Sequence, residues 1–218
     1  MICPNCQNTC GDGDLFCFRC GAALTEATTV KKGTHRAPLA ILFLLSVLGI
    51  ILYFAIPMTP VDNITPWFTV NRGVLYFDKT LYNGGSEITV PAIVNGQPVT
   101  ELSDGCFENC TEITTVILPD SLLSIRMNAF SGCTSLRGIY IPEGVIAISP
   151  RAFSNCTALE AISLPSTVEA IGTEAFEGCE KLSYIFFNGD FDRWQTLYSE
   201  HISIKTQVYC SDGAHLHR

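Results

Sequence analysis

The sequence predicts a multi-domain chain: a small zinc-binding segment with four cysteines, one transmembrane helix, and a β-rich solenoid of short parallel strands with a 23-residue period. Three observations support this prediction. Two Cys-x-x-Cys pairs lie near the N-terminus, an uncharged apolar run follows them, and phenylalanine then recurs at a constant interval. The predicted boundaries are 1–24 for the zinc-binding segment, 25–37 for a linker, 38–57 for the membrane helix, 58–86 for a membrane-proximal segment and N-terminal cap, 87–187 for the repeats, and 188–218 for a C-terminal cap and tail.

The N-terminal cysteines have the spacing of a structural zinc site. Cys3 and Cys6 form one Cys-x-x-Cys pair, and Cys17 and Cys20 form a second pair after ten intervening residues. Two such turns brought together supply four thiolates in the tetrahedral arrangement that Zn²⁺ prefers. A segment this short buries too little apolar surface to fold alone, so one structural Zn²⁺ would supply its folding energy. The alternatives are Cys10 as a ligand in place of Cys6, a redox pair, or idle thiols in a disordered tail.

The same segment resembles the zinc-ribbon family found at the N-terminus of many bacterial membrane proteins. The stretches "CPNC" and "CFRCG" match the two knuckles of that family, with Gly21 where the turn favours a left-handed residue. The chain departs from the family at Gln7, where glycine is usual. The resemblance implies a small unit that is stabilised by its metal.

An uncharged segment predicts one membrane crossing. Leu39–Ile56 contains eighteen residues without a charge, about the length needed to span roughly 30 Å of hydrocarbon as a helix. A cleaved signal peptide is the competing interpretation, but its basic region would have to include the whole cysteine-rich N-terminus. Lys31, Lys32 and Arg36 precede the segment, and the first basic residue after it is Arg72. The positive-inside rule therefore predicts a cytoplasmic N-terminus and an extracellular repeat domain.

Charge and composition narrow the class of function. Residues 57–218 carry nine basic and 18 acidic side chains, a net charge of −9, which argues against a nucleic-acid partner. Outside the C-terminal tail, His201 is the one histidine of this segment, and no serine or cysteine lies in a nucleophile motif. We therefore expect that the chain is not an enzyme.

Residues 99–187 repeat with a period of 23. The repeated positions include Phe107, Phe130, Phe153 and Phe176; Cys110, Cys133, Cys156 and Cys179; Leu102, Ile125, Ile148 and Ile171; and Val116, Ile139, Ile162 and Ile185. The alternation in "LRGIYIP" predicts a short strand whose Leu and Ile side chains point inward. The piece "AFSGCTSL" predicts a compact turn or a single helical turn whose phenylalanine fills the interior. Stacked units would pair their strands in parallel and bury one continuous core.

Three stretches carry a resemblance to the BspA-like bacterial leucine-rich repeats: "SLLSIRMNAFSGCTSLRGIYIP", "GVIAISPRAFSNCTALEAISLP" and "TVEAIGTEAFEGCEKLSYIFF". The resemblance covers residues 87–187. It implies exposure at the cell surface and recognition of a partner, without identifying the ligand. It also implies an irregular first unit, with Asn95-Gly96 as a turn between strands, and a C-terminal end in which Trp194 and Leu197 cover the last repeat.

The stacked repeat cysteines could in principle form disulfides with one another. Adjacent strands lie about 4.8 Å apart, within the Cα range that a disulfide tolerates. Equivalent side chains in a stack project in parallel, which keeps their Cβ atoms farther apart than the roughly 3.8 Å that a disulfide prefers. We therefore expect Cys110, Cys133, Cys156 and Cys179 to be unpaired and to act as small hydrophobes. Cys210 has no predicted role.

Strand geometry predicts one candidate binding surface. Side chains between the inward ones face the other side of the sheet. The outward positions include Thr115, Ile117, Tyr140, Tyr184 and Phe186. The three aromatic residues would form an exposed cluster of the kind that anchors interfaces. The alternative is that the N-terminal unit, the cap or a neighbouring molecule covers them.

Three functions follow from these features. The first is a membrane-anchored extracellular module that recognises or adheres to a protein or glycan non-covalently. The second is a transmembrane sensor whose cytoplasmic zinc ribbon engages a protein partner. Nucleic acid is disfavoured as that partner, because the segment has one arginine and two aspartates before the linker. The third is a cell-envelope scaffold without a specific ligand. The sequence indicates no oligomeric state.

Overall fold

The computed structural model describes residues 66–197 and 206–216 of the chain. The predicted zinc-binding segment (1–24), linker (25–37) and membrane helix (38–57) lie outside these residues. Within the two described ranges, no helix combines the length and the apolar character that a membrane crossing requires. The described residues form a stack of short, mostly parallel strands, as the 23-residue period predicts.

Short strands and one helix make up the regular structure in the described part of the chain. Their bounds are β1 Phe68–Asn71, β2 Val74–Phe77, β3 Glu87–Thr89, β4 Ile93–Val94, β5 Gln97–Pro98, β6 Glu101–Leu102, β7 Thr115–Ile117, β8 Ser124–Ile125, β9 Gly138–Tyr140, β10 Ala147–Ile148, β11 Ala161–Leu164, β12 Ala170–Ile171, β13 Tyr184–Phe187, α1 Phe191–Leu197, β14 Gln207–Cys210 and β15 His215–Leu216. The strands are two to four residues long, so no single repeat could be stable as a sheet alone.

Each complete repeat contributes one strand to each of two sheets. The front sheet has the order β9-β11-β13-β14 in parallel, with β15 antiparallel at its end, and β3 and β7 form a separate parallel pair. The back sheet has the order β1-β2-β6-β8-β10-β12. In both sheets most neighbouring residues are one repeat period apart, as in the pairing of Ile162 with Ile185. The back strands contain only two residues in each repeat, too few to show the alternation that predicts a strand.

The phenylalanine turns form a third side of the stack. The Phe107, Phe130, Phe153 and Phe176 rings are buried and stack with centroid separations of 5.2, 5.1 and 5.7 Å. Backbone hydrogen bonds also join these turns. For example, the amide N–H of Phe130 donates to the carbonyl oxygen of Ala152 in the next repeat at 2.7 Å. The prediction that phenylalanine fills the interior is confirmed.

Two hairpins form the N-terminal end of the stack. The β1–β2 hairpin is antiparallel, and β2 then pairs in parallel with β6. The β4–β5 hairpin turns at Asn95 and Gly96, whose φ angles of 50° and 74° are those of a primed turn. The turn predicted from the Asn-Gly pair is therefore present.

The C-terminal end continues the stack beyond the predicted last repeat at residue 187. Strand β14 pairs in parallel with β13 and aligns Val208 with Ile185, again one repeat period apart. Trp194 lies one period after Ile171, on helix α1, and packs 5.6 Å from the ring of Phe187. Because β14 follows it, Trp194 is part of the core rather than a cover for an open end. Residues 211–216 are not a loose tail, since they lead into β15, which pairs with β14.

Candidate functional site

The outward positions of the front sheet are the candidate site that the fold presents. Parallel pairing with alternating side chains places Ala161 beside Tyr184, and Ser163 beside both Tyr140 and Phe186. The intervening residues Ile162 and Ile185 point into the core and are fully buried. The alternation predicted from the sequence thus determines which side chains are presented outward.

Three rings form a continuous patch on the front sheet. The Tyr184 and Phe186 rings are 6.3 Å apart, and the Tyr209 ring is 6.4 Å from Tyr184 and 5.6 Å from Phe186. We call Tyr184, Phe186 and Tyr209 the aromatic face. Tyr184 is 43% exposed, and the other two are half-buried. The Tyr209 hydroxyl donates to Oε1 of Gln207 at 2.8 Å, which holds that ring in place.

The other predicted residues lie farther along the stack, on β9 and on the separate β3–β7 pair. Tyr140 on β9 is two strands from Phe186, with the buried Ser163 of β11 between them, and is 38% exposed. Ile117 is 54% exposed on β7, where Thr115 is half-buried. The structure therefore brings Tyr184 and Phe186 together, and leaves Tyr140, Ile117 and Thr115 on strands that do not adjoin theirs.

Sequence reasoning missed Tyr209. It lies one repeat period after Phe186, so the period itself carried the signal. The signal was hidden because residues 188–205 lack the Phe-x-x-Cys turn sequence of the earlier repeats, with Ser199 one period after Phe176. With Tyr209 included, the patch gains a third ring in contact with the first two.

The outward positions of β7, β9, β11, β13 and β14 carry no charged side chain. On β3, which pairs with β7, Glu87 is charged and exposed. Other charged and polar groups lie beyond the strand ends. There the Nδ2 of Asn188 donates to Oε1 of Glu143 at 2.5 Å, and the Ser166 hydroxyl donates to the same carboxylate at 3.3 Å. An uncharged centre with a polar rim is the usual composition of a protein interface.

The repeat cysteines have a structural role in the core. All six cysteines in the described part of the chain are buried and unpaired, which confirms the prediction for the four repeat positions. Their thiols also donate hydrogen bonds: Sγ of Cys133, Cys156 and Cys179 lies 3.1, 3.1 and 3.0 Å from the carbonyl oxygens of Phe107, Phe130 and Phe153. The sequence predicts only a packing role for these small side chains, and the structure adds a hydrogen bond to that role.

Burial keeps the Cys133 and Cys156 thiols in the protonated form that donates, whereas the hydrogen bond with Cys156 lowers the pKa of Cys179. Burial raises the pKa of Cys133 and that of Cys106 to about 12. A hydrogen bond with the Cys179 thiol, together with burial, raises the pKa of Cys156. Because the thiolate is the nucleophile, a cysteine held neutral in this way is a poor one.

The described residues offer no alternative metal centre. Within 66–197 and 206–216, no group of three or more His, Cys, Asp or Glu side chains is arranged to hold a metal ion. The predicted zinc ligands Cys3, Cys6, Cys17 and Cys20 lie outside these ranges, and they remain a prediction from spacing.

Comparison with known proteins identifies the repeats. The sequence profile described as the BspA type leucine-rich repeat region matches residues 86–211 in six copies. This match extends past residue 187, the predicted last repeat residue, and includes β14, in agreement with the pairing described above. No protein of curated function matches the chain.

Several solved structures are similar to the chain. A leucine-rich repeat protein from Bacteroides capillosus is 34% identical over 56% of this chain and 93% of its own, with a TM-score of 0.49. A leucine-rich cell surface protein from Faecalibacterium prausnitzii is 23% identical over 63% of this chain, with a TM-score of 0.48. The pneumococcal vaccine antigen PcpA is 18% identical over 66% of this chain, with a TM-score of 0.49. The similarity spans 44% of the Faecalibacterium protein and 42% of PcpA, so less than half of either.

Proposed function

The chain belongs to the BspA-type leucine-rich repeat family, and on that premise we propose that its repeat domain is a recognition or adhesion module for a protein partner. The observation that carries the proposal is the aromatic face: three contacting rings, partly exposed, on strands whose outward positions carry no charge. Tyrosine, with tryptophan and arginine, is among the residues that most often dominate the free energy of protein association.

The rigidity of the front sheet supports this proposal. Backbone pairing in β11, β13 and β14 holds the three rings in register, and the side chains beneath them are buried. A surface that is ordered before binding loses little conformational entropy when the partner docks. The expected mode is therefore non-covalent docking onto a preformed patch, with Tyr140 and Ile117 extending the contact.

Replacement of one ring tests whether the aromatic face, rather than another surface of the molecule, binds the partner. We expect Tyr184→Ala to weaken binding roughly tenfold to a hundredfold, because the loss of an anchoring aromatic residue costs about 2 kcal/mol or more. Binding of the labelled full-length chain would be measured on an array of purified cell-surface and matrix proteins, and the affinity for each saturable partner would then be determined.

A tyrosine on the back sheet provides the matched control. Tyr76 on β2 is 46% exposed, close to the exposure of Tyr184, but lies on the back sheet. Tyr76→Ala should change the affinity by less than about twofold. An equal loss for both variants, or none for Tyr184→Ala, would remove the aromatic face from consideration. The absence of any saturable protein partner would favour a scaffold without a ligand.

We also propose that this module is carried outside a cell by the segment 38–57, with one structural Zn²⁺ held by Cys3, Cys6, Cys17 and Cys20 on the cytoplasmic side. The support is the cysteine spacing, the uncharged run and the basic residues before it. In this arrangement the zinc segment is a folded cytoplasmic head. If the chain were a sensor, this head would be the part that engages a cytoplasmic protein partner.

Thiol labelling of cells tests this arrangement. An impermeant maleimide should label Thr173→Cys, an exposed position of the repeat domain, and should label Thr28→Cys in the linker only after permeabilisation. A zinc chelator added after permeabilisation should expose the four N-terminal thiols to the same reagent. Labelling of Thr28→Cys on intact cells would contradict the topology, and thiols that react equally without chelator would contradict the zinc site.

A further inference from the structure

A cleft at the N-terminal end of the stack is a second candidate site, distinct from the aromatic face. Its volume is about 500 Å³, within the usual range for small-molecule sites. It lies between the loop that follows β2 and the turn at residues 109–113. The cleft exists because this turn belongs to the first repeat with a phenylalanine turn, so no equivalent turn stacks above it.

The walls of the cleft are aromatic and well supported. Phe77 and Tyr82 line it, and their rings are 5.4 Å apart in an edge-to-face arrangement. The Tyr82 hydroxyl donates to the carbonyl oxygen of Glu87 at 2.7 Å, and Trp67 packs 5.4 Å from the same ring. These contacts hold Tyr82 in one position, so the wall is formed before any ligand arrives.

The rim of the cleft is polar and uncharged overall. The side chains of Asn83, Asn109 and Thr111 lie at the cleft and are exposed. Lys79 and Glu112 contribute one positive and one negative charge, which cancel. The amides and the hydroxyl can both donate and accept hydrogen bonds.

We propose that this cleft binds an uncharged saccharide unit. A sugar ring has an apolar C–H face that can pack on Phe77 or Tyr82, and hydroxyl groups that can pair with the amides of Asn83 and Asn109. An anionic ligand would meet Glu112 in a segment with a net charge of −9, with one lysine in compensation. A purely apolar ligand would strip water from the amides without replacing its hydrogen bonds.

Other ligand classes fit this cleft less well. A bound metal ion would need several ligands, and no group of three or more His, Cys, Asp or Glu is arranged to hold one among the residues that the structure describes. A covalent ligand is disfavoured because burial raises the pKa of the Cys110 thiol, against the opposing influence of Lys79. The inference goes beyond the proposed function, because the cleft and the aromatic face share no residue.

The test uses the full-length chain and a defined set of probes. These are neutral oligosaccharides of glucose, galactose, mannose and N-acetylglucosamine, with their sialylated and uronic-acid counterparts, measured by calorimetry. We expect saturable binding of at least one neutral probe and weaker binding of its acidic counterpart. Thr111→Trp should fill the cleft and reduce this binding at least about tenfold, and Asn83→Ala should reduce it roughly twofold to tenfold through the lost hydrogen bond.

The repeat itself supplies the matched control. Thr134 occupies the position of Thr111 one repeat further on, is exposed, and does not line the cleft. Thr134→Trp should therefore leave saccharide binding unchanged, as should Tyr184→Ala on the aromatic face. The proposal is overturned if no neutral probe binds saturably, if acidic probes bind more tightly, or if Thr111→Trp and Thr134→Trp have equal effects. None of these outcomes bears on the protein partner of the aromatic face.

Discussion

Phe153→Ala is expected to lower the free energy of unfolding by about 3–5 kcal/mol. Phe153 is fully buried, and its ring stacks between Phe130 at 5.1 Å and Phe176 at 5.7 Å. Truncation removes the contacts with both neighbours and leaves a cavity that backbone hydrogen bonds on either side prevent from closing. Urea denaturation of the full-length chain, followed by far-ultraviolet circular dichroism, measures the change.

Two further variants show whether this loss comes from the stack. Ile146→Ala removes an apolar side chain that is 47% exposed on the surface, and it should cost no more than about 0.5 kcal/mol. Phe153→Leu keeps most of the volume and should cost less than Phe153→Ala. If Phe153→Ala destabilised the chain by less than about 1 kcal/mol, the phenylalanine stack would not be the main support of the interior.

Gly132→Ala is the second substitution for which we expect a large effect. Gly132 has a φ of 73°, and an added Cβ would lie 2.3 Å from Oδ1 of Asn109 in the preceding repeat. The left-handed backbone alone costs an alanine about 1–2 kcal/mol. Displacement of the Asn109 side chain should add roughly 1 kcal/mol or more. Unfolding in urea would again measure the change, and the two contributions together predict a loss of about 2–3 kcal/mol.

A second glycine separates the two contributions. Gly96 has a φ of 74°, nearly that of Gly132, but an added Cβ there would meet no atom within 4 Å. Gly96→Ala should therefore show the backbone cost alone. In an Asn109→Gly background, Gly132→Ala should cost about as much as Gly96→Ala. If Gly132→Ala lowered the free energy of unfolding by as much in that background as in the native chain, the Asn109 side chain would play no part in the effect.

The same contact recurs two repeats further on, where an added Cβ at Gly178 would lie 2.4 Å from Oδ1 of Asn155. Asn109 and Asn155 both have positive φ angles, of 55° and 57°. Asparagine and glycine thus alternate along one column, and each asparagine side chain occupies the space left by the glycine of the next repeat. A 23-residue period read from apolar residues does not reveal this two-repeat alternation.

Most of the solenoid could be predicted because its strongest signals are periodic. The inward column that contains Ile139, Ile162 and Ile185 is apolar in every repeat, at the same place in each short strand, so it indicates strands and their register. The back sheet was harder to predict because two residues, such as Ala147 and Ile148, cannot show alternation. The last strand was missed because α1 and the residues after it interrupt the pattern before Val208 resumes it.

The candidate site was predicted in part for the same reason. Tyr184 and Phe186 belong to a strand whose two faces alternate, so their shared outward direction follows from the sequence alone. Their contact with Tyr209 depends on β14 pairing with β13 across a repeat of regular length that lacks the phenylalanine turn sequence. The N-terminal cleft depends on packing between a loop and a turn that are far apart in the chain, for which no periodic signal exists.

By itself, the sequence determined the period, the inward columns, the buried phenylalanines and the unpaired cysteines, because each depends on a local pattern repeated in every unit. Only the tertiary structure decided that a further strand extends the front sheet, that Tyr209 completes the aromatic face, and that the cysteine thiols donate to the carbonyl oxygens of the preceding repeat. The physical reason is the same in each case. These features arise where units of the chain meet, and their geometry depends on how one repeat packs on the next.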